Sequence, residues 1–60
     1  SDLGFSLEDF RDRTGLPLAS LEPGLQTALE RQWITLEGQM VRPTTLGFDF
    51  LSEVQALFLA

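Results

Sequence analysis

The sequence predicts a single domain, mostly α-helical, with one small β-hairpin. Three observations lead there. Apolar residues recur at spacings of three and four, first at Leu18, Leu21, Leu25, Ala28 and Leu29 and again at Phe50, Leu51, Val54, Leu57 and Phe58, which is the period of an amphipathic helix. Between these runs, in WITLEGQMVRP, the period drops to two. Residues suited to starting and stopping helices stand at the borders of the runs.

The first element is GFSLEDFRDRTG. Ser6 is placed to cap a helix over residues 7–14, its hydroxyl accepting from an orphan backbone N–H near Asp9. Phe5 and Phe10 stand at the spacing of a hydrophobic staple. Glu8 and Asp9 suit the positive end of the helix dipole, Arg11 and Arg13 the negative end, and Gly15 the left-handed residue that ends the helix. The second periodic run is interrupted by Pro23 and Gly24. Because proline is accepted in a first helical turn and not in an interior, the run parses as a short turn over 19–22 and a helix over 23–32, a helix-turn-helix pattern.

In the next stretch Ile34 and Leu36 alternate with Thr35, and Glu37, Gly38 and Gln39 form the bend of a hairpin. A one-residue slip would exchange the faces of Met40 and Val41, and Val41 is expected inward. Thr44 or Thr45 then caps a closing helix, with Phe50, Leu51, Val54, Leu57 and Phe58 on its core side. Helix, helix-turn-helix, two-stranded wing and closing helix make a winged-helix-like domain over residues 1–60.

Composition excludes most chemistry. The 60 residues include no Cys and no His, which removes disulfides, thiolate sites, histidine bases and imidazole metal ligands. A chain this short removes only about 60% of its unfolded surface from water, so apolar packing alone must hold it. The net charge is −5 with four Arg and no Lys, the wrong sign for a phosphate-binding surface. The helix over 23–32 would offer DNA a net-negative face (Glu22, Gln26, Thr27, Glu30, Arg31), and the wing offers Arg42 alone, so no nucleic-acid partner is expected. No apolar run reaches about 18 residues and no signal-peptide pattern opens the chain, so no membrane partner is expected and the expected setting is cytoplasmic.

Glu8, Asp9 and Asp12 cluster beside Arg11 and Arg13 and read as a solvated helix face. Ser6, Ser20 and Ser52 have no base beside them. The five glycines read as caps and turns, and Trp33 as part of the core. No catalytic, cofactor-binding or metal-ligating residue is assigned.

GFSLEDFRDRTGLPL followed by VRPTTLGFDFLSEVQALFL resembles the C-terminal domain of oxygen-independent coproporphyrinogen III oxidases and their radical-SAM haem-chaperone relatives. In that family the tail commonly reads T-P-(R/K)-G, an apolar run, N-E-V and an F-L end; Thr44, Gly47, Glu53, Val54, Phe58 and Leu59 match it. Leu7, Phe10, Gly15 and Leu18 fall where the family places its first-helix core, helix stop and following leucine. Thr45, Leu46 and Ser52 depart from the usual Pro, basic residue and Asn. The resemblance implies a non-catalytic accessory domain, cut from a larger protein and packed on a radical-SAM barrel that holds a 4Fe–4S cluster and S-adenosylmethionine. None of the cluster's cysteines is in this chain. The partner implied is the remainder of that parent, and the isolated domain is expected to be a monomer. The other reading is a winged-helix module that binds DNA or protein.

On a helical wheel Phe48 and Leu59, with Ser52 and Gln55 between them, form a second stripe away from the core side. This stripe is the expected docking face.

Overall fold

In the computed structural model, residues 4–59 are described, Leu59 by its backbone alone. The element order is β1 (Phe5–Ser6), α1 (Leu7–Thr14), a 3-10 turn (Leu18–Leu21), α2 (Gly24–Glu30), β2 (Ile34–Glu37), β3 (Met40–Pro43), α3 (Thr45–Asp49) and α4 (Leu51–Leu59).

The α1 helix forms as its local signals require. The Ser6 hydroxyl accepts from the Asp9 N–H at 3.2 Å, and Gly15 takes the left-handed conformation while its N–H returns to the Arg11 carbonyl. The turn expected over 19–22 is the 3-10 turn one residue earlier. The helix expected over 23–32 is α2, and it ends sooner. Gln32 adopts φ 59°, the one non-glycine residue with positive φ among the described residues. Its N–H bonds the Leu29 carbonyl at 3.0 Å and the Trp33 N–H bonds the Ala28 carbonyl at 2.9 Å, the paired bonds of a Schellman stop.

The hairpin pairs Leu36 with Val41 and Ile34 with Pro43. Val41 points inward and is 2% exposed. The sheet is not two-stranded, however. Residues Phe5 and Ser6 add a third antiparallel strand in the order β1-β3-β2, with Phe5 opposite Val41. Phe5, just ahead of the Ser6 cap, is thus also a sheet residue, and its ring meets Phe58 edge-on at 6.2 Å. Two residues of strand show no alternation, so no sequence period announces β1.

The closing helix is not continuous. It breaks at Phe50 (φ −115°, ψ 37°) into α3 and α4. Thr44, rather than Thr45, caps α3, accepting from the Gly47 N–H at 2.9 Å. The break moves Phe50 out of the core, contrary to expectation. It is 42% exposed and its ring stacks on Trp33, with centroids 5.6 Å apart. Val54 is buried as expected, and Leu57 and Phe58 pack on the core half-buried.

Leu7, Leu21, Leu25, Ala28, Ile34, Val41 and Val54 form that core, contributed by α1, the 3-10 turn, α2, both hairpin strands and α4. Trp33 packs against it without being fully enclosed. The domain is thus mostly helical with a small three-stranded antiparallel sheet.

Candidate interaction surface

Among the described residues no three of His, Cys, Asp and Glu come together in a way that could hold a metal ion. Glu8, Asp9 and Asp12 are exposed on α1 with Arg11 and Arg13. The Ser6 hydroxyl is occupied as a helix cap, and the Ser20 hydroxyl donates to the Pro17 carbonyl at 2.7 Å. These are the bonds of local structure.

What the fold does build is a junction at Trp33. The Thr44 hydroxyl donates to the Gln32 carbonyl at 2.7 Å and accepts from Gly47, while the Thr44 N–H donates to the Trp33 carbonyl at 2.9 Å. A β-carbon at Gly47 would collide with that same Trp33 oxygen. Glycine at 47 is therefore required by the close approach of two backbones. The Phe50 ring lies nearly parallel to the Trp33 ring, 17° between planes, and the Arg31 guanidinium carbon sits 5.0 Å from the Trp33 ring centroid. Hydrogen bonds, a steric fit and ring stacking together fix α3 on the end of α2 and the start of β2.

Comparison with family models, with curated proteins and with solved structures gave no match. The chemistry of the surface is therefore read from its own residues.

Of the expected docking stripe, Phe48 lies on α3 and is 56% exposed, while Ser52 and Gln55 are exposed on α4. The Leu59 side chain lies outside the described residues. Because the chain bends at Phe50, the stripe is divided between two helices, and a single wheel does not describe it. Gln55 also borders a shallow groove between α1 and α4, floored by Phe5, Phe10, Leu21 and Phe58. Sequence reasoning missed that Leu46 and Phe50 join Phe48 at the surface, 43% and 42% exposed. A signal was present: Leu46 and Phe50 are four apart, and Gly47 between them has no side chain with which α3 could reach a core.

Proposed function

We propose that this chain is a winged-helix-like, non-catalytic accessory domain that docks on a larger protein. In this reading that protein resembles an oxygen-independent coproporphyrinogen III oxidase or a radical-SAM haem chaperone. The observation that carries it is the Thr44–Gly47 junction. These residues head the tail pattern on which the resemblance stands. In this chain the pattern has a physical meaning, since the threonine ties Gln32 to the start of α3 and the glycine lets α3 sit on the Trp33 backbone. Support for a docking role comes from Leu46 and Phe48, apolar and exposed on the element so fixed, and from Phe50 at the break that ends it.

The iron–sulfur cluster and S-adenosylmethionine of such a parent would be held elsewhere. A chain without cysteine offers no thiolate to a cluster, and no step of the reaction is placed on these residues.

The test begins with the coding sequence ahead of Ser1. A C-x-x-x-C-x-x-C motif there is the expected result, and its absence overturns the family assignment. Where the motif is present, the separately expressed remainder should bind the isolated domain, and Phe48→Ala should weaken that binding. Tight binding of duplex DNA in place of such docking would favour the module reading.

A further inference from the structure

We propose that α3 is a lid over Trp33, opening and closing as one unit while the rest of the domain stays folded. The inference does not depend on the docking role proposed above. Every other helical element among the described residues gives at least two apolar side chains to the core or to the layer packed on it, and α3 gives none. Its one buried residue is Gly47, which has no side chain to bury. Leu46 and Phe48 on the helix, and Phe50 at its end, are between 42% and 56% exposed.

What closes the lid is a pair of hydrogen bonds and one ring. The Thr44 N–H and hydroxyl reach the Trp33 and Gln32 carbonyls, and the Phe50 ring lies on Trp33. A segment held by few apolar contacts opens at a lower free energy than the whole fold, since opening it returns little apolar surface to water. Both ends can absorb the movement. Thr44 is extended backbone (φ −81°, ψ 174°), and Phe50 lies outside helical geometry. Beyond them Val41 and Val54, 2% and 6% exposed, are pinned in the core. Tethered on both sides, α3 can swing without unpicking the sheet or α4.

Opening lifts the Phe50 ring from the indole and releases the Gln32 and Trp33 carbonyls from Thr44. It leaves α2 closed, because the Trp33 N–H bonds the Ala28 carbonyl and nothing in α3. Trp33 and Arg31, whose guanidinium carbon lies 5.0 Å from the ring centroid, are of the residue types that carry most of the binding energy at protein interfaces. A partner that takes the covered face of the indole binds only the open form, so its apparent affinity falls with the fraction open. The lid thus sets how available Trp33 is.

The experiment is native-state hydrogen exchange of the nitrogen-15-labelled chain at one pH, over a series of low urea concentrations. The Phe48 amide bonds the Thr44 carbonyl, and the Phe50 amide bonds those of Leu46 and Gly47, all inside the lid. These two amides should exchange faster than those of α2 and β3, and with almost no dependence on urea. The Thr44 amide should join them, while the Trp33 amide follows α2. Ala28→Gly, a mild loss in the core, should speed exchange in β3 by about fivefold and leave the Phe48 and Phe50 rates unchanged. Thr44→Ala should speed Phe48 and Phe50 by about thirtyfold. Phe48 and Phe50 amides exchanging at the rate and urea dependence of the core amides would make α3 part of one cooperative unit and overturn the proposal. So would exchange at the rate of a free peptide, unmoved by Thr44→Ala, since no closed lid would then exist.

Discussion

The carbonyl oxygen of Trp33 occupies the space a side chain would take at Gly47. It cannot easily swing aside, because it also accepts the Thr44 N–H at 2.9 Å. Gly47→Ala is expected to destabilise the fold by on the order of 3 kcal/mol, the upper part of the range for overpacking. Urea unfolding measures it as a lower midpoint at unchanged slope. A change within about 0.5 kcal/mol would mean that α3 is not seated on Trp33.

Thr44 is the second element of this junction, and its hydroxyl both gives and receives a bond. Thr44→Ala removes a helix cap and leaves the Gln32 carbonyl without that donor, a loss of about 2 kcal/mol. For a domain of this size that lowers the melting temperature by roughly 15 °C. Thr44→Ser keeps the hydroxyl and should recover most of the loss. Equal melting of the two variants would show that the hydroxyl does not hold the junction.

Trp33→Ala removes a partly buried indole together with the Phe50 stack and the Arg31 contact. The expected loss is about 3 kcal/mol, a large part of what a small domain has. Circular dichroism melts can follow it. A shift of only a degree or two would place Trp33 outside the packing that holds the fold.

Phe48→Ala should leave the melting temperature within a few degrees of the unsubstituted chain, because the residue is more than half exposed. Unfolding of the kind a core deletion causes would show that Phe48 packs inward and would remove it from the expected docking face.

Duplex DNA should bind no better than weakly at moderate salt. The exposed side of α2 presents Glu30, with Glu22 just ahead of it, and Gln26 between them donates from its backbone to Glu22 at 3.0 Å and from its side chain to Glu30 at 3.4 Å. The residue best suited to a base edge is thus engaged by carboxylates. Micromolar affinity in a fluorescence-anisotropy titration would contradict this.

What could be read from the sequence was what is decided locally. Ser6, the charge order of α1 and Gly15 set that helix within a few residues of one another, and the alternation around Gly38 set the hairpin and the inward Val41. What could not be read was set by partners distant in the chain. β1 is two residues long and exists because β3 pairs with it. The break at Phe50 arises where α3 meets Trp33, a contact that no helical wheel contains. Reading the closing segment as one helix put Phe50 in the core and drew the docking stripe straight through the bend. Gly47 read as a turn or cap residue, when its role is to let two backbones touch.

The stack of Phe50 on Trp33 has an optical consequence. The chain holds one tryptophan and no tyrosine, so its near-ultraviolet emission comes from a single indole, and that indole lies against the residue where α3 meets α4. Any event that lifts α3, shifts the Phe50 ring or withdraws the Arg31 guanidinium alters the polarity around the fluorophore and so its emission colour and intensity. The unlabelled domain can therefore report docking at α3 by its own light, while a ligand confined to the far side of α1 should leave the spectrum as it was.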